Sequence, residues 1–409
     1  MEEVFLRFPH LSETIYDSLN HQSLAKCREV SNEWQAFLDE QKFLQIRVIK
    51  ATLKTGDSWN HTFKKFTTEM IFELAISVKQ FARMYNNDYN HKGPELTPTH
   101  VAAGIGNLSL LEKIHERDDY IDSKDMIGSS PLHYAANKGC LESFEFIIER
   151  STEKNPQIKL MGVTPLHLAA EKGHLEICKT ILQHCQDKNP ILGFGITPLH
   201  QAALYGHFEV FKLIAMSVMD INPRNRAGYT PLHFSARKGH FEICSYIIDR
   251  VEDKNPAGEV NGTPLHDAAR NGYLNICLYI LERVEDKNPA GEDNETPLHY
   301  AARNGHLEIC KLIIGKVSRK NPEDRAGLTP LHEAAAAGHL EICELILKQV
   351  SDKNPIANNG HWSCTGATPM QLAAENNHTN VYNLFERFLQ ESRIIRKLYY
   401  KYHAMTMFY

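Results

Sequence analysis

The sequence predicts an all-α protein: a helical solenoid preceded by a short three-helix module. Three observations predict it. A Thr-Pro-Leu-His word or its variant returns at Thr97, Ser130, Thr164, Thr197, Thr230, Thr263, Thr296, Thr329 and Thr368, in steps of 33, 34, 33, 33, 33, 33, 33 and 39 residues. Apolar residues follow each word at helical spacing, broken by Gly and Pro between copies. Residues 1–50 carry a separate amphipathic pattern that lacks the period.

In chain order, Pro9 opens a helical stretch with Leu11, Ile15 and Leu19 on one side. A second stretch carries Leu24, Cys27 and Val30, and a third Trp34, Phe37 and Leu38. Three helices this short make a very small core, marginal alone and suited to completion by a partner. The order Pro9, Leu11, Ile15, Leu19, Leu24, Val30, Trp34 resembles an F-box, with departures at Phe8, His10 and Ser31. That resemblance implies docking on a Skp-type adaptor of a cullin ubiquitin ligase; the competing reading is that these helices only cap the first repeat. Residues 51–93 form the linker, with a helix whose stripe of Ile71, Leu74, Ala75, Val78 and Phe81 should pack on the first face of the array.

Residues 94–389 form the array. In one copy, Thr164 can cap a helix that starts at Pro165, where a missing N–H costs nothing. Leu166, Ala169 and Ala170 share a face, the paired alanines allow a neighbouring helix to come close, and Gly173 ends the helix. A second helix carries Leu175, Ile177, Cys178, Ile181 and Leu182, and KNPILGFG breaks helicity. Two short helices cannot bury both stripes alone, so copies must stack. The period and the T-P-L-H-x-A wording resemble the ankyrin repeat, which implies about nine repeats and a binding surface made by the projecting loops and the inner helices.

The recurring His133, His167, His200, His233, His266, His299 and His332 invite a metal reading. Equivalent residues in stacked copies lie about 8 to 10 Å apart, whereas ligands of one zinc each lie about 2 Å from it, so they should serve their own helix caps and turns. Cys178, Cys244, Cys277, Cys310 and Cys343 share one position with Phe211, which marks it as core. The nine cysteines contain no C-x-x-C pair, so reduced thiols are expected, without metal or cofactor.

Comparing copies, loop tips and a few positions of the first helix vary while the scaffold persists. Leu160, Met161, Phe194, Ile196 and Tyr229 place apolar groups on tips, and Tyr205 and Phe234 extend them. They are either a docking patch or ordinary exposed apolar residues. Arg237, Arg270 and Arg303 recur at one position near Asp267, Glu292, Asp293 and Glu295, with Tyr300 in the same region. They read first as a solvated mixed-charge face, and second as the charged half of a binding surface. Asn261 and Asn294 replace the tip glycines Gly195, Gly228 and Gly327, as a left-handed turn permits. In the last copy NGHWSCTGATPM brings six extra residues, and His361 and Cys364 alone do not make a metal site. The tail, 390–409, is basic and aromatic and reads as a shield for the last repeat.

With 45 Lys and Arg against 50 Asp and Glu, the net charge of −5 favours neither nucleic acid nor an anionic membrane. The acidic start has no apolar run of signal-peptide length, and no segment reaches membrane-span length, so a cytoplasmic chain is expected, with the nucleus open as a second compartment. No G-x-x-x-x-G-K, G-x-S-x-G or H-E-x-x-H pattern supports an enzyme. The resulting expectation is a monomer within a hetero-complex: the F-box-like module holds the Skp-type adaptor and its cullin ligase, and the repeats hold an unknown target protein. The alternative is a scaffold of ankyrin repeats without a ubiquitin link.

Overall fold

The structure is a computed structural model. It describes residues 70, 71, 73, 74, 77 and 78, and residues 96–391 apart from 118–120, 126, 160, 259–260 and 358–365. The F-box-like positions Pro9, Leu11, Ile15, Leu19, Leu24, Val30 and Trp34 therefore lie outside the described residues, as do Leu160, His361, Cys364 and the tail beyond residue 391. Among the described residues the secondary structure is helical, joined by turns, with one isolated bridge between Leu192 and Ile196.

The chain divides into two compact units. The first runs to Pro198 and takes in Lys212–Val218; the second holds Leu199–Phe211 and everything from Met219 onward. The first contains α1 (Pro98–Ile105), α2 (Leu108–His115), α3 (Pro131–Lys138), α4 (Leu141–Arg150), α5 (Pro165–Lys172) and α6 (Leu175–His184). The boundary passes through α7 (Pro198–Tyr205) and α8 (Phe208–Ala215). The second contains α9 (Pro231–Lys238), α10 (Phe241–Ile248), α11 (Pro264–Asn271), α12 (Leu274–Leu281), α13 (Pro297–Arg303), α14 (Leu307–Ile314), α15 (Pro330–Ala337), α16 (Leu340–Gln349), α17 (Pro369–Glu375) and α18 (379–391).

Within each unit the helices stack pairwise: α1 on α3 and α3 on α5 in the first, and α9, α11, α13, α15 and α17 in sequence in the second. Small residues permit the approach, since Ala135, Ala136, Ala169, Ala170, Ala268, Ala269, Ala301, Ala302, Ala334 and Ala335 are wholly buried. Ser235 breaks the alanine pair in α9; its hydroxyl donates to the Leu232 carbonyl and accepts from the Cys244 thiol, so the polar atom is satisfied. The second helices contribute Phe144, Ile147, Ile148, Ile177, Cys178 and Ile181 to the first core and Ile243, Cys244, Ile276, Cys277, Ile309 and Cys310 to the second. Phe211 is likewise buried, with its ring edge-on to Tyr246. Burial pushes the thiols of Cys178, Cys244, Cys277, Cys310 and Cys343 up to about 12. At neutral pH they are inert protonated core groups.

The linker stripe is buried where it is described, at Ile71, Leu74 and Val78. Glu73 beside it accepts from Asn107 and from Lys113 on α2, at 3.2 and 2.8 Å, tying that helix to the first repeat. Glycine ends most first helices in a left-handed turn, a place that Asn377 takes after α17 at φ 62°. Gly272 has φ +82°, and a Cβ there would lie 2.6 Å from the His306 ring. An L side chain there is strained on both counts.

Candidate partner-binding surface

The scaffold word is a two-way hydrogen-bond clamp. In α13, the Thr296 amide donates to His299 Nδ1 at 3.0 Å, and the Thr296 hydroxyl lies 2.9 Å from the same nitrogen. The imidazole thus occupies the N3 place of a capping box usually held by Glu or Gln. Its other nitrogen, Nε2, lies 3.2 Å from the Leu328 carbonyl of the next copy. His100, His133, His167, His200, His233, His266 and His332 repeat the outward bond, to the carbonyls of Ser129, Val163, Ile196, Tyr229, Gly262, Glu295 and Ala367. Loss of water pulls the imidazole pKa down, to about 4 in His100, His133, His200, His266 and His299 and about 3 in His233, against the carbonyl acceptors that favour a charged ring. Those six rings are neutral at physiological pH. The second histidine of a copy points the other way: His240, His306, His339 and His378 bond back to the carbonyls of Leu204, Arg270, Arg303 and Ala336.

The Lys-Asn-Pro segments are also structural. Lys154, Lys188, Lys254, Lys287, Lys320 and Lys353 direct their ammonium groups at the last carbonyls of the preceding second helix. Asn155, Asn222, Asn255, Asn288, Asn321 and Asn354 accept from the second amide of the following first helix. The sequence reading saw only a helix breaker here.

Beyond these segments the chain forms tips, each closed by one backbone bond: Ile158 to Val163, Leu192 to Ile196, Asn225 to Tyr229, Gly258 to Gly262, Gly291 to Glu295, Asp324 to Leu328 and Ala357 to Ala367. The two irregular steps, 34 and 39, are absorbed inside the first and last of these closures. Asn261 and Asn294, at φ 56° and 60°, take the left-handed place that Gly195, Gly228 and Gly327 fill elsewhere. Phe194 is left-handed too, at φ 62°, although it is neither glycine nor asparagine. Its ring is 79% exposed.

Among the expected apolar contacts of the first unit, Met161 is 60% exposed and Ile196 half-buried. The Gly193 amide donates to the Met161 carbonyl at 2.9 Å, so the two apolar tips are fastened together. Ile127 and Ile191 belong to the same series and were overlooked; both are exposed, and their place in the tip sequences was the available signal. In the second unit Tyr205 is exposed, while Tyr229 and Phe234 are half-buried, set edge-on to His233 and His200 at 5.1 and 5.6 Å. Those two rings therefore serve packing as well as any partner.

Glu292 and Asp293 are exposed, as a solvated mixed-charge face requires, but the acids paired with Arg237 and Arg303 depart from one. Arg237 makes a two-pronged bond with Asp267, at 2.9 and 3.2 Å, across one repeat. Arg303 does the same with Glu333, at 2.7 and 2.8 Å, and also holds Glu295. The acids are largely buried, at 13% exposure for the Asp267 side chain and 11% for Glu333. Desolvation works against the Glu295 charge, but hydrogen bonds from Tyr300 and Arg303 outweigh it and hold that carboxyl below its usual range. Burial, with the Glu295 bond, raises the Tyr300 phenol to about 12. Glu295, Asp324 and Glu333 bring carboxylate oxygens within 4.8 Å of one another. Arg303 supplies the cation for two of them, and the amides of Ala326 and Leu328 serve Asp324. Arg270 alone of the three arginines is without a carboxylate among the described residues; its guanidinium lies over the Tyr300 ring, 4.0 Å from the centroid.

The sequence model described as Ankyrin repeats (3 copies) matches residues 150–225, 199–290 and 284–357, and that of a single Ankyrin repeat matches 127–159. The chain belongs to the ankyrin-repeat family. No curated protein matches it. Its ankyrin repeats are a protein-binding scaffold in which motif histidines, lysines and asparagines are consumed by cohesion. Tips and outward first-helix positions are what remain. Among the described residues, no helix is long and apolar enough to cross a membrane.

Proposed function

We propose that this chain is the substrate-recognition subunit of a Skp-cullin-F-box type ubiquitin ligase, with the ankyrin array holding the target protein and residues 1–50 holding the Skp-type adaptor. The reading makes the chain a non-enzymatic tether whose contribution is proximity, supplied to enzymes elsewhere in the assembly. The observation that carries target capture is the division of labour among side chains: scaffold groups are bonded internally, while Met161 and Phe194 face solvent on tips joined by the Gly193 amide. Adaptor docking is supported by the spacing of Pro9, Leu11, Ile15, Leu19, Leu24, Val30 and Trp34. About nine repeats over residues 94–389 would supply the array, with residues 51–93 setting its distance from the adaptor.

Two measurements separate the arms. Ile15→Asp with Leu19→Asp should abolish pull-down of a purified Skp-type adaptor while the helical circular dichroism of the array is kept. Undiminished adaptor capture by that double variant, or none by the wild type, would leave a plain ankyrin scaffold. Met161→Asp with Phe194→Asp should remove target capture and spare the adaptor.

A further inference from the structure

We propose that Arg270 is a docking point for a carboxylate of the bound protein, an Asp or Glu side chain or a chain terminus. The proposal rests on the reading of the array as a protein-binding surface and names the partner chemistry of one place on it. Register within the second unit singles this residue out. Arg237, Arg270 and Arg303 stand 33 residues apart, and each faces the residue 30 positions later in the next repeat. For Arg237 that residue is Asp267, and for Arg303 it is Glu333; both arginines are held in two-pronged pairs. For Arg270 it is Tyr300, so among the described residues the carboxylate its neighbours receive from within the chain is missing.

Among the described residues, the acids Asp267 and Glu295 do not fill the gap. Asp267, on the helix of Arg270, is taken by Arg237, and Glu295 is taken by Arg303 and Tyr300. Arg270 is nevertheless held in place. His306 bonds its carbonyl at 3.1 Å, and the guanidinium lies 4.0 Å from the Tyr300 centroid, against 5.5 Å for the carboxylate-bound Arg303 over the same ring. Arg270 is an exposed residue, and a planar cation lying on an aromatic face can offer a forked pair of donors to an incoming carboxylate.

The test presents random peptides on phage to the full-length wild type, to Arg270→Gln and to Tyr300→Glu. The wild type should retain peptides enriched in Asp or Glu at one position. Arg270→Gln should lose that enrichment and bind the selected peptides about tenfold more weakly. Tyr300→Glu should supply the absent carboxylate from within, as Glu333 does for Arg303, and quench acidic selection while keeping the wild-type melting temperature or raising it. Peptides retained without acidic preference, or a preference that survives both substitutions, would overturn the carboxylate site alone. Retention of no peptide by the wild type would overturn it together with the protein-binding reading.

Discussion

A histidine in this array is worth more as a bridge than as an ionisable group. His299 joins the Thr296 cap to the Leu328 carbonyl, so removing the ring strands polar groups on both sides of a repeat junction. His299→Ala should therefore cost about 2–4 kcal/mol, several times the loss at an exposed site, measurable by urea denaturation. Gly272→Ala should cost about 1–3 kcal/mol, because the methyl must adopt φ +82° and meets the His306 ring. The sequence made the histidines legible as structural because their spacing forbids a shared ion. It left hidden that each ring serves two repeats, since the acceptor is a carbonyl and carbonyls carry no letter. The pairs made by Arg237 and Arg303 were hidden for a related reason: their acids lie 30 residues away, a separation that only stacking turns into contact.

At the scale of the helix, the Thr-Pro-Leu-His word and the Lys-Asn-Pro segment work as a pair of fasteners around each loop. Asn288 accepts from the Leu298 amide and Lys287 closes the end of α12, so the loop between them enters and leaves at set points. Asn288→Ala should lower the unfolding free energy in urea by about 1 kcal/mol, and the same substitution at the exposed Asn271 should change it by less than about 0.5 kcal/mol. Helix starts and stops were readable residue by residue, because Pro at N1 and Gly after the last turn are local rules. The tips were readable in length and in their left-handed places. Their exposure was not, because whether Met161 or Tyr229 turns outward depends on the neighbouring repeat.

At the scale of the molecule, the buried imidazoles set the acid limit. Their folded pKa values, about 4 against an ordinary 6.5, mean that the unfolded chain binds more protons, so stability rises with pH across that window and is lost as pH falls through it. Each ring adds to this loss, because a lowered folded pKa is a free-energy difference between the two protonation states. Circular dichroism against pH should show unfolding between pH 6.5 and 4, and replacing His233, the most strongly shifted, with Gln should move that transition to lower pH. The core cysteines should resist a thiol reagent at neutral pH and react together on unfolding, whereas Cys140 and Cys185, half exposed, should react first.

The bonds that the motif histidines send to the next repeat end on backbone carbonyls belonging to Ser129, Val163, Ile196, Tyr229, Gly262, Glu295, Leu328 and Ala367. Those eight residues share almost nothing in size, charge or polarity. An attachment that ignores the identity of what it grips leaves mutation free to rewrite the gripped segment. The loop feeding each junction can thus drift toward new ligands without the lineage losing its architecture, and copies can be duplicated or exchanged without a compensating change next door.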